Sequence, residues 1–152
     1  MKRLNPAYVE AVRASVNPCP YFELLSMEIK SLVWGEATLE ISAREKHLQP
    51  FGIVHGGVFA SLIDATAFWA AYSQAPAEVG MTTVDLKLNY LAPLTRGRMI
   101  GKGKCLRAGG TLYLSEASIR SDEGDLLAHG TSTLMMLKNT PMKAELPPKF
   151  LD

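Results

Sequence analysis

Hydrophobic positions recur along this chain with two different periods, and the change from one to the other predicts the fold. Residues 6–16, PAYVEAVRASV, put proline at a helix-starting position and apolar residues at helical spacing, which predicts a short amphipathic helix. NPCP at 17–20 breaks it, a second helical turn through Tyr21, Phe22, Leu24 and Leu25 follows, and VWGEA at 33–37 reads as a turn between two strands. In GEATLEIS, Ala37, Leu39 and Ile41 alternate with Glu36, Thr38 and Glu40, the mark of a half-buried strand. From Gly56 to about Ala75 the residues favour one long helix, apolar almost all round and ended by Ala-Pro at 75–76. A helix with no polar face has to be wrapped by the rest of its domain.

After Pro76 the period becomes two. Val84, Leu86, Leu88 and Tyr90 are expected to face one way, and Asp85, Lys87 and Asn89 the other. Three more strand-like runs follow, at about 97–107, 111–121 and 125–137, joined by RAGG and SDEGD. Links that short require antiparallel neighbours. The last segment, NTPMKAELPPKFLD, is proline-rich and is expected to be a mobile tail. The class predicted is α+β, an antiparallel sheet curled around one long central helix.

The 152 residues are one domain's worth, enough to bury roughly 70% of the surface the unfolded chain exposes. Hydrophobic residues at 47% and charged residues at 20% are ordinary for a globular protein. A net charge of +1 offers no general field for nucleic acid or an anionic membrane, so neither is expected as a partner, and an anionic ligand would need a local patch. Cys19 and Cys105 are read as free thiols in a reducing compartment. No signal-peptide core follows the N-terminus, so the expected location is cytoplasmic. Asp64, Ser61, Thr66, Ser73 and Gln74 interrupt the apolar run at 58–75, which argues against a membrane span of about 20 residues.

The chemistry gathers at HLQPFGIVHGGVFASLID, residues 47–64. A first helical turn presents backbone N–H groups without intrahelical partners, and the helix dipole adds partial positive charge there. Gly56 and Gly57 would let another molecule approach those groups closely. A carbonyl placed there would have its developing negative charge stabilised, as in an oxyanion hole. Asp64 lies nine residues after His55 among apolar neighbours that supply no counter-charge. Burying a carboxylate without a partner is costly, so such a residue reads either as a general base or nucleophile, or as a polar group satisfied by a neighbouring subunit. Spacing alone leaves both open.

That stretch, with TTVDLKLNYLAP at 82–93, resembles the hot-dog-fold acyl-CoA thioesterases, in particular the branch of the phenylacetate-pathway and 4-hydroxybenzoyl-CoA enzymes, over about residues 23–138. The resemblance implies a hot-dog domain at 23–138 between a helical segment at 1–22 and the tail at 139–152. It implies that Asp64 is the acidic catalytic residue and that the Gly56 N–H polarises the thioester carbonyl. Gln49 takes the place of a residue holding the carbonyl or water, His55 accompanies the triplet, and Thr83 is the hydroxyl residue from the next strand. It also implies a site shared between two protomers, and a dimer or dimer of dimers, in keeping with the need to cover sheet edges.

For coenzyme A, the resemblance points to Gly57, to Tyr90, Leu91, Ala92 and Pro93, and to Arg107, Gly109, Gly110 and Thr111. GKGK at 101–104 lacks the spacing of a P-loop, so nucleotide triphosphate binding is not expected. Arg96, Arg98, Lys102 and Lys104 share a strand parity and read first as a solvated face. Phe51, Phe59, Phe68, Trp69 and Tyr72 are candidates for an acyl pocket, though aromatics at helical spacing are more often core. His47 and His129 read as ordinary loop or strand histidines, and no metal and no cofactor apart from the coenzyme A of the substrate is expected. The function expected is hydrolysis of an acyl-CoA thioester; the alternatives are an acyl-CoA-binding regulator without turnover and a hydratase of the same fold.

Overall fold

The computed structural model describes residues 2–151. Helices α1 (Pro6–Val16) and α2 (Pro20–Leu25) precede strands β1 (Met27–Val33) and β2 (Glu36–Ser42). One turn of 3-10 helix, Glu45–His47, leads to α3 (Gly56–Tyr72), after which come β3 (Gly80–Tyr90), β4 (Arg98–Ala108), β5 (Leu112–Arg120) and β6 (Leu126–Leu137). The strands form one antiparallel sheet in the order β1-β2-β4-β5-β6-β3, and α3 touches all six of them. Wrapping of this kind is what the apolar circumference of α3 demands: Leu62, Ile63, Ala67, Ala70 and Ala71 are fully buried. Among the described residues no helix is long and apolar enough to cross a membrane.

The GKGK run has a packing task. A Cβ on Gly101 would stand 2.6 Å from Thr66 Oγ1, and one on Gly103 would stand 2.5 Å from the Thr66 carbonyl oxygen. On β6, a Cβ at Gly130 would meet Ile63 Cγ2 at 3.0 Å. Side chains at these points would hold the sheet off the helix, so the glycines set how tightly it closes.

Strand β3 departs from the simple alternation. Its pairing with β6 shifts register between Thr83 and Asp85, leaving Val84 as an extra, 52% exposed residue. Met81 and Thr83 before the bulge therefore share the inner face with Leu86 and Leu88 after it, opposite Met136, Leu134, Ser132 and Gly130 respectively. Val84, expected on the inner face, is turned outward.

The C-terminal segment is not loose, contrary to its composition. Phe150 bridges to Leu4, the Asn5 N–H donates to the Lys149 carbonyl at 2.9 Å, and the Leu151 N–H donates to the Arg3 carbonyl at 3.0 Å. Lys149 itself is 2% exposed and donates from Nζ to the carbonyls of Tyr72 and Ala75 at 2.6 and 2.7 Å, which caps the C-terminal end of α3. The helix stops at Tyr72 rather than Ala75, with Ser73 as its cap. The Ser73 hydroxyl donates to the Ala70 carbonyl and accepts the Gly35 N–H, which ties the helix end to the β1–β2 turn.

Candidate active site

The N-terminus of α3 is built around His55. Its Nδ1 accepts the Gly57 N–H at 2.8 Å, which makes the imidazole the N-cap, and the His55 backbone N–H donates to the His47 carbonyl at 2.8 Å. A Cβ on Gly57 would stand 3.0 Å from that Nδ1, so the cap and the glycine suit one another. The capping leaves one donor over. Among the described residues the Gly56 N–H has no hydrogen-bond partner, and it sits where the helix dipole is most positive.

Around this donor lies a cavity of about 360 Å³ lined by Gln49, Gly56, Phe59 and Tyr90–Pro93. Tyr90 closes on the glycine, its ring 3.2 Å from where a Cβ would be. Gln49 sits in a tight turn in which Gly52, at φ 82°, donates to the Gln49 carbonyl, a conformation that suits glycine. The Gln49 side-chain oxygen accepts the Phe51 N–H, and its Nε2 has no partner among the described residues, so two residues that line this space each carry an unspent donor.

His47, expected as an ordinary loop or strand histidine, ends the 3-10 turn, is 1% exposed and holds that turn in place. Its Nδ1 accepts the Arg44 N–H at 2.9 Å, so Nε2 carries the proton donated to the Leu25 carbonyl at 2.7 Å. Burial lowers its pKa and keeps the ring neutral.

Asp64 lies on a different side of the site. It is half-buried, and it is partnered: Thr83 Oγ1 donates to its Oδ1 at 2.7 Å. The apolar helix neighbours of Asp64 supply no counter-charge, but the carboxylate is not without a partner, because the β3 bulge keeps Thr83 turned inward. Asp64 opens onto a larger cavity, about 570 Å³, shared with Ser61, Phe68, Trp69 and Tyr72. Of the aromatic candidates, Phe59 lies at the smaller cavity, while Phe51 is 88% exposed and lines neither.

Two groups of residues thus form within one chain: Gln49, Gly56 and Tyr90–Pro93 in one, Asp64 and Thr83 in the other. Eight residues of helix separate Gly56 from Asp64, about 12 Å at 1.5 Å per residue, too far for one carbonyl carbon and its oxygen to meet both. Arg107, Gly110 and Thr111 lie exposed in the β4–β5 hairpin, with Gly109 half-buried beside them, and none lines either cavity. One feature escaped the sequence reading: Tyr21 hydroxyl and Ser61 Oγ are hydrogen-bonded at 2.7 Å across the mouth of the larger cavity. Its signal was available in part, since Ser61 is three residues before Asp64 and shares its helix face.

Residues 51–128 match the thioesterase superfamily. The chain belongs to that family. A protein of Saccharolobus solfataricus named for esterase activity is 32% identical over 117 residues, covering 77% of this chain and 83% of that one. The 1,4-dihydroxy-2-naphthoyl-CoA hydrolase of Listeria monocytogenes is 29% identical over 117 residues, 76% of this chain and 94% of the relative. Among solved structures, a thioesterase family protein of Silicibacter pomeroyi superposes with a TM-score of 0.78 at 28% identity, covering 86% of this chain and 98% of its own. A Haemophilus influenzae thioesterase superposes at 0.83 over 94% of this chain and 99% of its own; at 19% identity it speaks to the fold alone. The fold is the hot-dog fold and the protein is a thioester hydrolase of this family.

Proposed function

We propose that this hydrolase acts on acyl-CoA thioesters, converting thioester and water to a free acid and the coenzyme A thiol, without a further cofactor. The observation that carries the reading is the unspent Gly56 N–H at the positive end of α3. A thioester carbonyl oxygen placed there gains charge during attack, and a fixed donor stabilises that charge where it forms. The Gln49 Nε2 adds a second donor beside it. Asp64 serves as the base that takes a proton from the attacking water, or as the nucleophile itself, with Thr83 holding its orientation.

The separation of Asp64 from Gly56 along α3 favours a site made by two copies of the chain, the acid from one protomer and Gln49, His55 and Gly56 from the other. Strand β3 is an edge of the sheet, available to pair with the same edge of a second copy, and Phe51, exposed beside Gln49, would be covered in such a dimer. A dimer, or two dimers together, is therefore the working unit. Tyr90–Pro93 at the mouth of the smaller cavity, with Gly57, then take the pantetheine end of coenzyme A. Arg107 and the Gly109–Thr111 turn meet its phosphates. Cytoplasmic acyl-CoA is the expected source.

The test is thiol release from a panel of acyl-CoAs by the native chain and by Asp64→Asn and Asp64→Ala. Loss of about a thousandfold or more in kcat/KM in both variants, with melting unchanged, is the expected result. Equal turnover in the variants overturns the role of Asp64. Tight acyl-CoA binding with no turnover by the native protein would turn the reading to a regulator.

A further inference from the structure

The larger cavity has a wall that the residues of the proposed reaction do not account for. Beyond Asp64, α3 contributes Phe68 and Tyr72; α1 and α2 contribute Val16 and Phe22; and the segment after β6 contributes Met142. Of these, Val16, Phe22 and Met142 lie outside the stretch that matches the family, 51–128. Segments on both sides of that stretch thus join α3 in building this wall.

The C-terminal segment reaches that wall by a defined route. Asn139, at φ 54°, turns the chain back after β6, and the Thr140 carbonyl then packs onto Gly80, where a Cβ would stand 2.5 Å away. The segment's far end is held by the Lys149 contacts to the last carbonyls of α3. Gly80 lies three residues along β3 from Thr83, about 10 Å at 3.3 Å per residue, so the segment that carries Met142 meets the cavity away from the Thr83–Asp64 contact.

The lining defines the chemistry of what fits. Among the described residues that line it, none is Lys, Arg or His, so nothing there would neutralise a terminal carboxylate. Most hydroxyls are engaged: Tyr72 donates to the Val79 carbonyl at 2.9 Å, and Tyr21 pairs with Ser61. The aromatic rings also hold one another. Phe68 stacks on Tyr72 at 5.6 Å, and Trp69 meets the two edge-on at 5.3 and 5.6 Å, so they form a wall with no slot open between them for a flat ring. The length follows from α3: Asp64 to Tyr72 is eight residues, about 12 Å, and an extended chain advances roughly 1.2 Å per bond. A volume of about 570 Å³ is within the usual range for a ligand pocket.

We infer that this cavity, closed by Met142, is the acyl subsite and selects thioesters of uncharged, straight-chain apolar acyl groups of about eight to twelve carbons. The inference rests on the acyl-CoA hydrolase reading above. Tyr21 and Ser61 stand at its mouth, and Met142 sets how far the chain extends.

The experiment measures kcat/KM on straight-chain acyl-CoAs of four to sixteen carbons, with benzoyl-CoA and succinyl-CoA beside them, for the native chain, Met142→Trp and Met142→Ala. The native optimum is expected at eight to twelve carbons, with succinyl-CoA poorest. Met142→Trp is expected to lower the twelve-carbon to four-carbon ratio by about tenfold or more, and Met142→Ala to move the optimum to longer chains. Should the tryptophan variant fail to fold, the alanine variant still decides. Turnover by the native chain with both ratios unchanged in the variants, or with its optimum on benzoyl-CoA or succinyl-CoA, overturns the subsite and leaves acyl-CoA hydrolysis standing. Thiol release from no member of the panel overturns the acyl-CoA reading and the subsite with it.

Discussion

Thr83 Oγ1 lies 2.7 Å from Asp64 Oδ1 and donates to it, so a residue of an edge strand orients a carboxylate on the enclosed helix. The bulge at Val84 makes this possible while keeping Leu86 and Leu88 on the same inner face. Thr83→Val keeps the branched shape that a strand favours and removes only the donor. Its kcat/KM is expected to fall by roughly ten- to a hundredfold, the worth of one hydrogen bond to a charged group, with little change in melting. Thr83→Ser should recover most of the activity. A valine variant as active as the native chain would show that Asp64 needs no such orientation.

Gly56→Pro tests the unspent donor directly. Proline is accommodated at the first position of a helix, and His55, at φ −62° and ψ 136°, has the extended conformation that a following proline requires. The substitution deletes the N–H and asks the Tyr90 ring to give way by a few tenths of an ångström. A loss of about a hundred- to a thousandfold in kcat is expected, and Gly56→Ala, which keeps the N–H, should lose less. Co-refolding Gly56→Pro with Asp64→Ala then tests the shared site. If acid and donor come from different protomers, each mixed dimer holds one intact site, and an equal mixture regains about a quarter of native activity. No recovery, with mixed dimers demonstrated by mass, would place both groups in the site of one chain.

Lys149 gives the fold a pH dependence. Burial pushes its pKa from 10.5 down to about 7, with Glu78 opposing the shift. Between pH 7 and about 10 the unfolded chain therefore holds a proton that the native chain has released, so the contribution of this residue to stability rises with pH through that window. Tyr8 and Tyr72, whose pKa values burial raises, work the other way only above about pH 10. Denaturant unfolding at pH 6.5, 8 and 9.5 is expected to show stability climbing with pH in the native chain, and a flatter profile in Lys149→Met. A native profile no steeper than that of Lys149→Met between pH 7 and 9.5 would mean that the amine stays charged among its carbonyl and ring partners.

The local parts of the candidate site are legible in the sequence. His55, Gly56 and Gly57 act through the geometry of one helical turn, and a capping residue followed by glycines announces that turn in any fold. Asp64 stood out because a carboxylate inside an apolar helix is costly unless something uses it. Its partner was legible only loosely, since the inward face of Thr83 depends on a bulge whose presence is decided by the pairing of β3 with Leu134 and Thr133 of β6. The packing of the C-terminal segment escapes composition for a related reason. Proline-rich composition describes a chain with nothing to pack against, whereas Lys149 finds the carbonyls of Tyr72 and Ala75, seventy or more positions away.

The sequence by itself determined most of the helical and strand segments, the antiparallel pairing of strands joined by short hairpins, and the need of one all-apolar helix for a surrounding sheet, but not the pairing of β2 with β4 or of β3 with β6. Those outcomes follow from periodicity and turn chemistry, which act over a few residues. Only the tertiary structure decided how closely the sheet approaches α3 at Gly101 and Gly103, which face of β3 carries Thr83, and that Gly56 and Asp64 open onto separate cavities. These depend on contacts between residues distant along the chain, and their energies are fixed by what lies opposite, which no local pattern encodes.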